Sequence, residues 1–109
     1  MYKYSRHVLD HNRSINIDKL IKTLKCLRLV TFKEDYDITN TKYKSASLKE
    51  SVMLYYKNSG VCKNPIVVTD DDFCLDGRHR VAFHKENNIS TLPAYIVPRS
   101  QVDKFIESL

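Results

Sequence analysis

The most informative segment of this chain is residues 73–80, which read Phe-Cys-Leu-Asp-Gly-Arg-His-Arg. Its apolar first half is typical of a buried β-strand, and Asp76-Gly77 is a dipeptide that commonly ends a strand. The residues from Arg78 to about Asn87 have the composition of a helix. The segment therefore predicts a strand that passes through a tight turn directly into a helix.

Such a turn creates a site where a phosphate can bind. The first N–H groups of a helix have no partner within the helix, and the helix dipole adds partial positive charge beside them. Gly77 allows the sharp turn and the close approach of an anion, and Arg78 and Arg80 can each contact phosphate oxygens in a bidentate manner. His79 can donate to a phosphate or transfer a proton, and Asp76 can bind a divalent metal or accept a proton. His79 and Asp76 are therefore the candidate catalytic residues, and Asp76 is the candidate metal ligand.

The same residues also have a purely structural interpretation. Asp-Gly is a common turn after a strand, Asp76 can act as a helix cap, and the cations can simply be solvated. Three cationic side chains at a helix N-terminus nevertheless oppose the dipole, and a bound anion would compensate them. This consideration favours the phosphate-binding interpretation.

The rest of the chain predicts a small α+β domain, with a mixed sheet and flanking helices, that spans residues 1–109 as a single unit. Residues 1–15 predict an irregular arm or an edge strand. In the first half of the chain we predict a helix over Asn16–Leu27, a strand over Leu29–Phe32 and a polar loop over Lys33–Lys44. A second helix begins at a capping box, Ser47–Glu50, and ends at Gly60. After it we predict a strand over Pro65–Thr69, a turn at Asp70–Asp72, a strand over Leu92–Val97, and a last helix over Gln101–Leu109 that is capped by Ser100.

The charge, the cysteine content and the length of the apolar runs indicate which classes of partner and which location to expect for this chain. The formal net charge is +5, which favours polyanionic ligands, and Lys42, Lys44 and Lys49 form a basic cluster that can flank a phosphate site or follow a nucleic-acid backbone. Three cysteines without close spacing do not indicate a disulfide framework, so we expect a reducing, cytoplasmic location. No run approaches the roughly 20 apolar residues of a spanning helix, so we expect no membrane partner.

The region from Ser47 to Val97, about half of the chain, resembles the ParB/sulfiredoxin superfamily. In that superfamily a helix precedes a Pro-Ile-x-Val strand, a hairpin leads into an Asp-Gly-x-His-Arg motif, and a Pro-containing strand closes the unit. Here these features correspond to Pro65–Val68, Asp76–Arg80 and Leu92–Val97. The resemblance implies a ParB/sulfiredoxin-like fold in which Gly77 and the three residues after it bind the phosphates of a nucleotide, with Asp76 beside them.

The chain departs from each branch of that superfamily in a different way. Sulfiredoxins have their reactive cysteine where this chain has Arg78, and the ParB partition proteins have Gly-Glu-Arg-Arg at the motif. The free-serine kinases share Asp-Gly-x-His-Arg, but the region that holds their acidic general base is here the basic segment Thr41–Lys44. Glu34 and Asp35 lie slightly earlier and are alternative acids.

Three functions follow as hypotheses. The first is Mg²⁺-dependent phosphoryl transfer or nucleotide hydrolysis, with ATP, ADP or CTP as the nucleotide. The second is a nucleic-acid-binding or nuclease-like module in which the same site holds a backbone phosphate of DNA or RNA. The third is a catalytically inactive phage or bacterial interaction protein whose basic surface binds an acidic protein partner.

Overall fold

Two small β-sheets organise the chain in a computed structural model, which describes residues 6–8, 13–43, 50–59 and 64–108. The elements in chain order are β1 (Arg6–Val8), β2 (Arg13–Asn16), α1 (Ile17–Cys26), β3 (Thr31–Asp37), α2 (Glu50–Ser59), β4 (Ile66–Thr69), β5 (Cys74–Asp76), α3 (Arg78–Glu86), β6 (Thr91–Val97), α4 (Arg99–Val102), a 3₁₀ turn (Asp103–Phe105) and β7 (Ile106–Ser108). The predicted α+β class, with a mixed sheet and flanking helices, is confirmed.

The larger sheet has four strands in the order β3-β6-β4-β5. Strand β4 runs parallel to β6 and antiparallel to β5, and β6 runs antiparallel to β3. The predicted hairpin of β4 and β5 is therefore confirmed, and α3 carries the chain from β5 across to β6. This order places β5 at one edge of the sheet and β3 at the other.

Side chains of β4 alternate between two hydrophobic clusters, one on each face of this sheet. Val67 packs with Leu75, Val97 and the apolar face of α1. Ile66 and Val68 pack on the opposite face, in the cluster that contains Val81 of α3. Because the sheet is covered by α1 on one face and α3 on the other, all four residues of β4 are buried.

The first predicted helix is confirmed, with one correction at its end. The Asn16 side chain accepts a hydrogen bond from the Lys19 amide at 3.1 Å, as expected of a helix cap. Ile17, Leu20, Ile21 and Leu24 form the buried face of α1. Leu27, which the prediction includes in the helix, is instead an exposed residue just after it, because the helix ends at Cys26.

Strand β3 is longer than the sequence indicated. The prediction placed a strand over Leu29–Phe32 and a loop from Lys33, whereas β3 continues to Asp37. Its polar residues are tolerated because β3 is an edge strand with exposed side chains, and a register shift between Lys33 and Tyr36 interrupts the alternation that would reveal a strand.

The predicted last helix is wrong over most of its length. Helix α4 spans Arg99–Val102 with Pro98, rather than Ser100, at its N-cap position, and the chain then enters β7. Strand β7 pairs with β2 in the second sheet, whose order is β1-β2-β7, and Ile106 lies opposite Ile15. This pairing of distant residues overrides the local helical pattern.

Helix α2 is present where it was predicted, although its cap cannot be compared. Ser47, Leu48 and Gly60 lie outside the described residues. None of the helices in the described ranges combines the length and the apolar character that crossing a bilayer requires.

Candidate functional site

Gly77 forms the turn between β5 and α3 in the way that the sequence predicted. Its φ of +103° lies in the region that favours glycine. A Cβ atom at this position would lie 2.5 Å from Cγ2 of Ile66 and 2.9 Å from Nη2 of Arg80. Both the backbone conformation and the close packing therefore require glycine here.

Among the described residues, no side chain caps the N-terminus of α3, and the first turn of the helix contains no acidic residue. The Asp76 carboxylate, which directly precedes Gly77, forms an ion pair with Arg80. The Nε atom of Arg78, the first residue of the helix, is buried and has no hydrogen-bond partner in the part of the chain that the structure describes. At the start of α4, in contrast, the Arg99 amide donates to the Asp70 carboxylate at 3.0 Å. A bound anion would accept hydrogen bonds from the first amides of α3, as the Asp70 carboxylate does from the Arg99 amide at the start of α4.

Arg80 points into the protein. Its side chain is 2% exposed, and Nη1 donates to the carbonyl oxygens of Asn64 at 2.6 Å and Pro65 at 3.1 Å. Its Nη2 lies 3.4 Å from Oδ2 of Asp76. Arg80 thus joins the first turn of α3 to the start of β4 and the end of β5. These contacts give Arg80 a structural role in the motif, and its direct contact with phosphate stays a prediction.

Asp76 and His79 lie on either side of Gly77 and differ in their surroundings. The Asp76 side chain is 12% exposed and forms the ion pair with Arg80, while His79 is half-buried in the first turn of α3. Within the described ranges, no group of three or more His, Cys, Asp and Glu side chains is arranged to hold a metal ion. Mg²⁺ is commonly held by one or two carboxylates together with phosphate oxygens and water, so one carboxylate at Asp76 fits a magnesium ion that arrives with a nucleotide.

The predicted basic cluster is only partly described. Lys42 lies beside β5, because its amide donates to the Asp72 carbonyl and its own carbonyl accepts from the Cys74 amide, each at 2.8 Å. Its side chain is exposed at the sheet edge that leads to Asp76. Lys44 and Lys49 lie outside the described residues. The structure therefore places Lys42 at the start of β5, beside the Asp70–Asp72 turn and opposite Phe73, which lies four residues before Gly77.

The two alternative acids do not join the site. Glu34 and Asp35 lie on β3, and β6 and β4 separate that strand from β5. Three strand spacings correspond to roughly 14 Å. The sheet order thus argues against either residue as the base that acts beside Asp76.

The acidic turn at Asp70–Asp72 is tied to the protein by its side chains. Asp71 accepts from the Thr69 hydroxyl, and this hydrogen bond is the main cause that lowers the pKa of Asp71. Asp72 accepts from the Tyr36 hydroxyl. Burial, followed by this hydrogen bond, raises the pKa of Tyr36 to about 12. These contacts support the predicted turn.

His84 is a buried residue of α3 that was not predicted as part of the phosphate site. Its Nδ1 lies 2.7 Å from the backbone oxygen of Arg80, and its Nε2 is buried without a hydrogen-bond partner among the described residues. Because a carbonyl oxygen only accepts, Nδ1 carries the proton in this contact. His84 follows Arg80 by four residues, and this spacing is the signal in the sequence that could have indicated their contact. The contact holds the Arg80 backbone in place one turn into the helix.

The Cys74 thiol lies close to the motif in sequence, but its burial makes it unreactive. It is buried in β5, and its Sγ donates to the Asp76 carbonyl at 3.2 Å. Burial, with a smaller effect from the Asp76 charge, raises the pKa of the Cys74 thiol to about 12. Since the thiolate is the reactive form, Cys74 is not suited to act as a nucleophile at neutral pH.

This shielding gives a direct prediction. In a Cys26→Ser/Cys62→Ser variant, the Cys74 thiol should react with an aromatic disulfide reagent at least about a hundredfold more slowly in the native protein than in denaturant, because reaction requires opening of the fold. Absorbance of the released thiolate measures the rate. The matched variant that retains Cys26, which is exposed, should react rapidly without denaturant. Rapid native reaction of Cys74 would contradict its burial.

Comparison of the chain with protein-family models, with curated proteins and with solved structures finds no match. Inferences about this site therefore depend on the geometry at Gly77 and on the sequence pattern around it.

Proposed function

We propose that this chain is a ParB/sulfiredoxin-like domain that binds a nucleotide phosphate at the N-terminus of α3. The observation that carries the proposal is the uncapped helix start after Gly77, together with the buried and unpaired Nε of Arg78. A buried donor without a partner costs about 1–3 kcal/mol. A phosphate oxygen would satisfy both Arg78 and the backbone amides of the first turn, so binding would remove this cost.

The neighbouring residues suggest phosphoryl transfer or nucleotide hydrolysis as the reaction. Arg78 and the amides after Gly77 would bind phosphate oxygens, and Arg80 would keep Asp76 and the helix start in register. His79, in the same turn, would donate to or accept a proton from the reacting group. Asp76 would bind Mg²⁺ together with ATP, ADP or CTP, and the ion would neutralise phosphate charge.

Thermal unfolding with each of ATP, ADP, CTP and GTP, in the presence and absence of Mg²⁺, tests the proposal. A nucleotide at ten times its Kd stabilises a protein by about 1.4 kcal/mol, which raises the Tm by several degrees for a domain of this size. The increase should disappear in Arg78→Ala. It should persist in Arg99→Ala, which also removes an arginine at a helix start but leaves α3 intact. Equal stabilisation of wild type and Arg78→Ala, or of neither, would contradict the proposal.

His79→Ala separates binding from chemistry. If His79 transfers a proton, this variant should retain most of the nucleotide-dependent Tm increase and lose phosphate release or transfer by about 10²-fold or more. Loss of binding with no separate effect on turnover would instead place His79 among the phosphate ligands.

The same samples test the nucleic-acid alternative. Binding of a single-stranded or double-stranded oligonucleotide is measured for the wild type and for Arg78→Ala. If this binding requires Arg78 and its affinity falls steeply between low and moderate salt, the site holds a backbone phosphate. Binding of a mononucleotide in preference to an oligonucleotide would favour the nucleotide.

A further inference from the structure

A second surface of the molecule exposes apolar side chains that the phosphate site does not use. Leu27 is 59% exposed, Leu29 38% and Phe32 51%, and all three lie where α1 ends and β3 begins. Scattered apolar side chains are ordinary on protein surfaces, but a contiguous group marks an interaction site. The three residues lie within six positions of one another, in the connection from α1 to β3 and at the start of that strand.

An aromatic pair extends this surface onto the sheet. Phe32 on β3 lies opposite Tyr95 on β6, with ring centroids 5.2 Å apart. The Lys25 ammonium lies 4.4 Å from the centre of the Tyr95 ring and 3.4 Å from its hydroxyl oxygen. Lys25 therefore has a defined position over an aromatic ring, in place of the many rotamers of a solvated lysine.

The side of this surface next to α1 carries positive charge. Lys22, Lys25 and Arg28 are exposed on the last turns of α1 and just after it. In the part of the chain that the structure describes, none of these three cations forms a salt bridge with a carboxylate. An apolar centre with a cationic rim is complementary to a ligand that carries apolar and acidic groups.

We propose that this surface docks an acidic, apolar-anchored peptide segment of a partner protein. We call it the Phe32 surface and define it by Lys22, Lys25, Leu27, Arg28, Leu29, Phe32 and Tyr95. The apolar residues of the peptide contact Phe32 and the two leucines, and its carboxylates contact the cations of the rim. Within the described residues no strand pairs with the outer side of β3, so an extended peptide can also bond to that backbone edge.

Two features favour a peptide over the other anions that a basic surface attracts. Nucleobases stack on aromatic rings, which leaves the exposed Leu27 and Leu29 without a role in nucleic-acid binding. A lipid surface attracts charge diffusely and makes no use of a strand edge or of an ammonium held in one position by Tyr95. Preorganised groups of this kind favour a ligand of defined shape.

The Phe32 surface is separate from the phosphate site. Tyr95 packs against the cluster that contains α1, whereas α3 packs in the cluster on the other face of the sheet. In addition, β3 and β5 are opposite edges. The proposal therefore stands whether or not a nucleotide binds at Gly77.

Fluorescence anisotropy with synthetic peptides tests the proposal on the full chain. The probe is a labelled twelve-residue peptide, roughly the length that spans one strand and its flanks, in which Glu alternates with Leu and Phe. Two control peptides replace the apolar residues by Ser or the Glu residues by Lys. We expect saturable binding of the probe, with a Kd at least about tenfold weaker for each control peptide.

Protein variants show whether the Phe32 surface is responsible. Phe32→Ala and Lys25→Glu change exposed side chains, and each should weaken probe binding about tenfold or more while leaving the Tm near that of wild type. Lys42→Glu reverses an exposed lysine at the opposite sheet edge and should leave the Kd unchanged. Equal effects of Lys25→Glu and Lys42→Glu would overturn the proposal, because they would show attraction by net charge alone.

Two further probes can also overturn it. Binding of a poly-dT oligonucleotide, or of vesicles that contain phosphatidylserine, more tightly than the peptide and with the same dependence on Phe32 would assign the surface to nucleic acid or to lipid. No saturable binding of the acidic peptide would exclude the proposed partner chemistry.

Discussion

Gly77→Ala is expected to lower the free energy of unfolding by about 3–5 kcal/mol. Part of this loss comes from forcing a side chain into a left-handed conformation, which costs about 1–3 kcal/mol. The remainder comes from overlap of the new Cβ with Cγ2 of Ile66, a fully buried residue that has little room to move. Urea unfolding followed by circular dichroism measures the change, which would be a large part of the stability of a typical small domain.

A second substitution distinguishes the two causes. Ile66→Ala removes Cγ2, so Gly77→Ala should cost less in an Ile66→Ala background than in the wild type. A double-mutant cycle would give the part that is due to overlap, and the remaining loss would be due to backbone conformation. A Gly77→Ala protein as stable as the wild type would show that neither the close contact nor the positive φ is present.

Arg80→Ala is expected to destabilise the fold by a similar amount, about 3–5 kcal/mol, because removing one partner of a buried ion pair leaves the other uncompensated. The change also leaves the carbonyl oxygens of Asn64 and Pro65 without the donor that Arg80 provides. Asp76→Asn should cost less, since Arg80 retains both carbonyl contacts. Arg99→Ala, at a half-exposed arginine, should change the stability by only about 0.5 kcal/mol.

Chemical denaturation of these three variants checks the order of their effects. The structural role of Arg80 predicts that Arg80→Ala loses stability even without any ligand. If Arg80→Ala were instead as stable as Arg99→Ala and lost only the nucleotide-dependent increase in Tm, Arg80 would be a phosphate ligand as the sequence first suggested.

Local signals were sufficient to predict the centre of this fold. The β4–β5 hairpin, the turn at Gly77 and the start of α3 depend on residues that are close in sequence, and each was predicted within one residue of its observed place. The role of Asn16 as the cap of α1 was also predicted from local sequence alone. In these segments the turn chemistry and the hydrophobic pattern agree, so tertiary contacts reinforce the local preference.

Long-range pairing accounts for the elements that were not predicted. The polar residues of β3 form a strand because β6 supplies its partner, and β7 replaces a predicted helix because Ile106 meets Ile15. The different environments of Arg78 and Arg80 have a similar origin. Residues two positions apart on a helix point about 200° from each other. Which of the two faces the protein depends on where β4 lies, and the motif itself contains no information on that.

The pairing of β2 with β7 has a consequence for how the chain folds. Ile15 and Ile106 are about ninety residues apart in sequence, so closing this contact restricts a very long loop and gains little until the residues between them are ordered. The β4–β5–α3 unit, in contrast, needs only contacts between near neighbours. We therefore expect the motif around Gly77 to organise early in folding, and the sheet that joins the two ends of the chain to form last and to open first.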